Sequence, residues 1–327
     1  MPQLDRDSGS AHKALWHIRE QWLPAVHRDL RAALRSFRPH VVHSHEPQLL
    51  SAAVFTAVAA EGLPHVHTAH DYNLLCARVT MTRGGLPCGG GCIECRLQRE
   101  IRVRTIRRRL DLLIAPSDFV RNRHLEHGVV SSDHALTVRQ GACAGRRRLR
   151  RPVPGKLQLG FLGTLAEHKG VRTLLRATAS MPDGWSLAVA GDGALADEVR
   201  ITAARDRRVR YVGVVGEAER DVFLNQLDAL IIPSEWEEPA PLVAVEAAVR
   251  GLPTVVSDRG GLPETPQTSV FAAGSTDALL NAVEELDKVP GLITSRSQSL
   301  LDSRIAHEWP AHLRAVEEAL TRVVAGA

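Results

Sequence analysis

LQLGFLGTLAEHKGVRTLLRATASMPDGWSLAVAGDG, residues 157–193, reads as one strand, one helix and a second strand. Residues 157–162 are a short apolar run that exits on a glycine, 171–180 have the spacing of an amphipathic helix, and 186–190 return to an apolar run before Gly191-Asp192-Gly193. The same alternation continues with a helix over 195–204, a strand over 209–212, a helix over 217–226 and a strand over 229–232. A helix over 241–250 and a strand over 254–257 follow. Strands this short and apolar, separated by amphipathic helices, predict a parallel sheet covered on both faces, hence a Rossmann-like α/β domain. Two further helices, over 277–286 and 306–324, show apolar spacing without chemistry.

Upstream, Leu15, Ile18, Trp22, Val26, Leu30 and Leu34 recur every three or four residues and predict an amphipathic helix over 13–37. A short strand at 41–42 with its flanks, a helix over 48–61 and a strand over 65–69 come next. After a cysteine-rich loop and an arginine-rich helix, 110–115 reads as a buried strand and 117–127 as a helix capped by Ser117. Around 144–154 the pattern breaks into Gly, Arg and Pro, as a linker does. A chain of 327 residues is long enough for two cores, so domains over 1–150 and 151–327 are expected. Hydrophobic content of 44% with 24% charged residues, and no run of eighteen apolar residues, argues against a membrane-spanning chain. Residues 1–12 lack the apolar core of a secretory signal, so a cytoplasmic location is expected. The net charge of +4 is spread along the chain, and no nucleic-acid partner is expected.

Ligands of doubly wound sheets bind beyond the carboxyl ends of the strands, so the strand-to-helix turns are the places for chemistry. Gly163 and Thr164, followed by Lys169-Gly170, offer backbone amides and one cation to a phosphate. Gly191, Asp192 and Gly193 permit a tight turn close to a ligand. In Pro233-Ser234-Glu235-Trp236-Glu237-Glu238-Pro239-Ala240-Pro241-Leu242-Val243, Pro241, Leu242 and Val243 open a helix whose amides suit a diphosphate. Glu238 precedes that helix, and Glu246 lies inside it among Ala, Val and Leu. A carboxylate there is costly unless it meets hydroxyls or a cation.

Residues 160–264 resemble the donor-binding domain of retaining GT-B glycosyltransferases of family four. Glu238 and Glu246 match the family's Glu-x7-Glu motif, and Gly163, Lys169-Gly170, Gly191-Asp192-Gly193, Tyr211-Val212-Gly213 and Gly260-Gly261-Leu262-Pro263-Glu264 match in order. The resemblance implies two Rossmann-like domains and a UDP- or GDP-sugar donor. Glu246 would hold the donor ribose, Glu238 the hydroxyls of the donor sugar, and Lys169 the diphosphate. Val212 and Gly213 would border the donor, and Thr164 stands where the motif usually has arginine. Two segments, residues 39–45 and 65–72, look like successive strands of the family's acceptor domain, which would place His70 near the anomeric carbon. The implied activity is transfer of a hexose-type sugar to a hydroxyl acceptor, a glycan, a lipid-linked molecule or a small molecule. Glu238 and His70 would act as the catalytic residues, with no metal cofactor required for catalysis. The alternative is a degenerate, non-catalytic nucleotide-sugar-binding or scaffold protein.

Cys76, Cys88, Cys92 and Cys95 follow the spacing C-x11-C-x3-C-x2-C, which suits a structural zinc, reduced thiols or a disulfide. Arg96, Arg99, Arg102, Arg104, Arg107, Arg108 and Arg109 with Ile101, Val103, Ile106 and Leu110 form either a solvated face on a packed helix or a peripheral contact with an anionic membrane. Family members begin with a strand, a glycine-rich loop and a helix before the region matching His40; residues 1–39 contain no such strand and turn. Against that pattern an N-terminal domain without its first strands is expected, whether the true start lies upstream, another chain supplies the strands or this copy is degenerate, together with a C-terminal helix that returns to that domain.

Overall fold

The computed structural model describes residues 23–46, 50–76, 79–83, 86–88, 93–143 and 145–326, and in them the chain separates into two units. The first takes the described residues within Met1–Met81, Cys88–Val138 and Val316–Ala327; the second takes Thr82–Pro87 and Arg139–Ala315.

In the first unit, α1 (Pro24–Phe37) precedes β1 (Val42–His45), α2 (Ala53–Ala60) and β2 (His65–Thr68). A small antiparallel ribbon of β3 (Thr82–Arg83) and β4 (Leu86–Pro87), which belongs to the second unit, follows in sequence; the first unit then continues with α3 (Ile93–Ile106), β5 (Leu112–Ala115), α4 (Asp118–Glu126) and β6 (Ala135–Thr137). The four-stranded sheet has the order β1-β2-β5-β6 and is parallel throughout. Pro24 sits in the first turn of α1, where an amide donor has no helical acceptor to lose. The helix expected over 13–37 is described from Pro24 onward, and the one expected over 48–61 begins at Ala53. Ser117 caps α4 as expected, its Oγ accepting from the Val120 amide at 3.2 Å.

The arginine-rich segment departs from the expected packed and solvated faces at two neighbouring positions. Arg102 is buried and donates through Nη1 to the carbonyl of Asn73, while Ile101 is 46% exposed; Val103, Ile106 and Leu110 turn inward. One guanidinium thus satisfies a buried carbonyl at the position where the pattern placed a solvated charge. Among the described residues, no helix is long and apolar enough to cross a membrane.

Histidines occupy the heart of this unit. His65 and His67 on β2 are buried against Phe55, with ring centroids 4.9 and 5.6 Å from its own. One hydroxyl serves both: Ser44 Oγ lies 2.8 Å from His65 Nε2 and 2.9 Å from His67 Nδ1. His124 on α4 is fully buried, its Nδ1 2.8 Å from the Val120 carbonyl. Burial pushes His65 and His124 down to about 4 and His67 well below its ordinary value. The unfolded chain therefore takes up protons first as pH falls below 6.5, and stability declines from there toward pH 4. His65 and His124 should each withdraw about 2 kcal/mol between pH 7 and pH 5. Thermal melts followed by circular dichroism across that interval should show the loss, and a flat profile would contradict the buried neutral imidazoles.

The second unit contains β7 (Gln158–Leu162), α5 (Val171–Ala177), β8 (Ser186–Ala190), α6 (Ala196–Arg205), β9 (Val209–Gly213), α7 (Glu217–Gln226), β10 (Ala229–Ile232), α8 (Leu242–Ala248), β11 (Thr254–Ser257) and β12 (Thr268–Phe271). Helices α9 (Thr276–Lys288), α10 (Leu292–Ser303) and α11 (Trp309–Ala325) complete the chain. Six parallel strands lie in the order β12-β11-β10-β7-β8-β9. Successive side chains of a strand point to opposite faces, and both faces are apolar here. Leu187, Val189, Ala229 and Ile231 join one core with Phe161, Leu174 and Trp185, whereas Ala188, Ala190, Leu230 and Ile232 join another with Leu224 and Ala247. Each large side chain so buried contributes about 1.5–3 kcal/mol.

The segment read as a linker carries a fixed point. Arg150 is fully buried, donating to the carbonyls of Leu227 (2.9 Å), Leu224 (3.0 Å) and Arg250 (3.0 Å). The carbonyls of Leu227 and Arg250, just past the ends of α7 and α8, thereby gain a donor, and Leu224 O, which also accepts from the Leu227 amide, gains a second one. Strand order also locates the next question. From β7 the chain builds outward through β8 and β9, then returns to the other side of β7 as β10, so the topological switch falls between β7 and β10.

Candidate active site

At the carboxyl ends of these strands the turns are bonded to one another through their backbones. The Gly163 amide donates to Ala190 O (3.1 Å), Leu165 to Asp192 O (2.8 Å), Leu195 to Leu165 O (2.9 Å) and Gly191 to Gly213 O (2.7 Å). The Glu235 amide donates to His168 O (2.8 Å), which ties the turn after β7 to the loop after β10 across the switch point. Gly191 has φ +134°, and a Cβ on it would lie 1.9 Å from Gly163 O, so no side chain fits there. Gly193 packs on Leu165, and Tyr211 donates its hydroxyl to Gly191 O at 3.1 Å. Gly163, Val212 and Gly213 are half-buried on this crest, while Thr164 and Asp192 are exposed on it.

Two of the expected side chains meet directly. Lys169 Nζ lies 2.6 Å from Glu238 Oε1, and Ser234 Oγ donates to the same oxygen at 2.6 Å. The Glu238 side chain is 4% exposed and that of Lys169 25%. A carboxylate so removed from water requires a charged partner and a hydrogen bond, and it has both. Trp236 packs beneath: Lys169 Nζ stands 5.1 Å from its ring centroid, and His168 meets the ring edge-on at 5.7 Å. Burial lowers the pKa of His168, with the neighbouring Lys169 charge adding to the effect.

Glu246 on α8 has the cation its apolar helix demands, and it comes from the chain itself. Arg220 Nη1 on α7 donates to Glu246 Oε1 at 2.7 Å. A second tie joins the same helices, Arg250 Nε to Asp221 Oδ1 at 2.9 Å. The expected helix over 241–250 is shorter at both ends: Pro241 precedes it in extended conformation, Leu242 and Val243 supply its first amides, and Leu242 is exposed. Arg220, Ser234 and Trp236 are the side chains that sequence reasoning missed. The signal open to it was a tryptophan among acidic residues, since an indole in so polar a stretch needs a packing reason.

In the first unit, His70 follows β2 and is half-buried, its Nε2 2.8 Å from His45 Nδ1 at the end of β1. The two rings stack with centroids 5.1 Å apart. Cys76, Cys88 and Cys95 are half-buried, whereas Cys92 lies outside the described residues, so the four-thiol set falls partly beyond them. Among the described residues no group of three or more His, Cys, Asp or Glu is arranged to hold a metal ion.

Residues 156–288 match the family described as glycosyl transferases group 1, and residues 5–141 match glycosyltransferase family 4. The chain is 31% identical to glycogen synthase of Mycobacterium tuberculosis over 275 residues, 77% of this chain and 63% of that protein. It thus spans under two thirds of that relative's length. It is 26% identical to 2-deoxystreptamine glucosyltransferase of Streptomyces kanamyceticus over 311 residues, 90% of this chain and 78% of that one. Among solved structures, HepE of Anabaena in complex with UDP and glucose superposes with a TM-score of 0.69 at 17% identity, covering 96% of this chain and 83% of that one. Sucrose-phosphate synthase of Thermosynechococcus elongatus gives 0.70 at 19% identity, covering 93% and 79%. These structural likenesses establish the two-domain α/β fold.

Proposed function

We propose that this chain, which belongs to the GT-B glycosyltransferases, moves a hexose-type residue from a nucleoside-diphosphate sugar to a hydroxyl acceptor with retention at the anomeric carbon. The observation that carries this reading is the pairing of Lys169 with Glu238 at the switch point between β7 and β10. An ammonium poised there can turn to a diphosphate, leaving Glu238 to accept hydrogen bonds from sugar hydroxyls. Glu246, fixed by Arg220, would accept from the ribose hydroxyls. As the bond to the anomeric carbon breaks, charge grows on the departing diphosphate, and Lys169 with the first amides of α8 would stabilise it. His70 would face the reacting carbon and donate a hydrogen bond to a sugar hydroxyl.

UDP is the first nucleotide to try, because HepE was crystallised with it and the relatives named above include a glucosyltransferase. Isothermal titration with UDP, GDP and ADP should give saturable binding to one of them, with the matching sugar nucleotide hydrolysed slowly in the absence of acceptor. Failure of the chain to bind any nucleoside diphosphate would sink the reading.

A further inference from the structure

Lys169 has two partners that differ in kind. Glu238 carries a full negative charge and shares its Oε1 with Ser234, so it competes with any phosphate for the ammonium. The Trp236 ring carries none, yet its face attracts a cation 5.1 Å from the centroid. A lysine side chain is a flexible stem that gains little from a single contact, and once Glu238 turns to another ligand it would be held by nothing charged. The ring persists in both situations. Trp236 is itself held in place: it is 91% buried by its 9% exposure, and His168 abuts its edge. Its indole Nε1 is buried with no acceptor among the described residues. A buried donor without a partner is a cost, so hydrogen bonding does not explain why an indole stands here.

From this geometry, and resting on the donor-site reading above, we infer that Trp236 is a positioning residue for diphosphate recognition, its ring face holding the Lys169 ammonium over the site after Glu238 releases it. The neutral face fixes the cation without opposing the anion that the cation is to meet. A carboxylate in its place would hold Lys169 more tightly and withhold it from the phosphate.

Titrations of the full chain with UDP and with uridine test this, comparing wild type, Trp236→Leu and Trp236→Phe. Trp236→Leu should weaken UDP binding roughly tenfold and leave uridine binding unchanged, because the ring acts only through the charge that meets phosphate. Trp236→Phe, which keeps a ring face and discards the unpartnered N–H, should recover most of the affinity. Should Trp236→Leu fold poorly, Trp236→Met, which fills the space with a flexible chain and no ring face, takes its place in a cycle with Lys169→Met: its loss of UDP affinity should vanish once the ammonium is gone. UDP affinity unchanged in a folded Trp236→Leu chain, or uridine weakened as much as UDP, overturns the role of the ring while leaving the donor site standing. Absence of UDP, GDP and ADP binding by the wild type overturns the donor site itself, and this inference with it.

Discussion

Gly170→Ala is expected to destabilise the second unit by about 5 kcal/mol and to lower its melting temperature by roughly 10 °C or more. Gly170 adopts φ +70° at the start of α5, and a Cβ there would lie 1.8 Å from the carbonyl oxygen of Pro233. The obstacle is backbone, so no side-chain rotation relieves it. Relief requires the turn after β7 to part from the loop after β10, which would also separate Lys169 from Glu238. Gly213→Ala supplies the control. Its φ is +81°, but nothing lies within 4 Å of the added carbon, so only the conformational strain of about 1–2 kcal/mol remains. Thermal melts of the two variants should differ by several degrees; equal shifts would show that the close approach at Pro233 is not what Gly170 is for.

Lys169→Met should cost about 3 kcal/mol or more, because it strands a carboxylate whose remaining side-chain partner among the described residues is Ser234. Adding Glu238→Gln should then return most of that stability, since the amide needs no counter-charge. Donor turnover should not return. In the proposed function both side chains would meet the reacting sugar diphosphate, so Lys169→Met, Glu238→Gln and the double variant should each fall about 100-fold or more in initial rate. The contrast separates a structural ion pair from a working one. If the double variant is destabilised by the sum of the single effects, the two side chains are not paired in solution; if it retains wild-type turnover, they are not the site.

Much of the second unit was readable because its strands are unbroken apolar runs between glycines and polar turns. Ser186–Ala190, Ala229–Ile232 and Thr254–Ser257 have the bounds that pattern implies, as does the helix Glu217–Gln226. Thr268–Phe271 escaped because an edge strand with Thr and Ser in it reads as a turn, and Ala135–Thr137 is too short and too shallowly buried to show a period. Val42–His45 runs past its apolar start because Ser44 and the histidines bond within the sheet, a use of polar groups that alternation does not reveal. For the candidate site, Lys169, Glu238 and Glu246 stand out in the sequence from their places in turns and an apolar helix, and the structure adds the partners they take. Arg220 does not stand out, since its partner is 26 residues away on another helix and nothing local distinguishes it from a surface arginine. Arg150 and Arg102 were obscured for the same reason: arginine in a basic stretch looks solvated until the carbonyls it serves are brought to it.

The mutual bonding of the crest turns bears on how such a protein can change its ligand over generations. Because Gly163, Leu165, Gly191 and Leu195 spend their amides on neighbouring turns, the path of the main chain is settled during folding and leaves little room for inherited variation. Thr164 and Asp192 are exposed on that path, and replacing Thr164, whose side chain makes no bond among the described residues, should change stability by no more than about 0.5 kcal/mol, whereas Asp192 also accepts from the Gly193 amide at 2.8 Å. If the proposed donor sits on this crest, new preferences would be cheapest to reach through those two exposed positions, with the loop skeleton inherited intact.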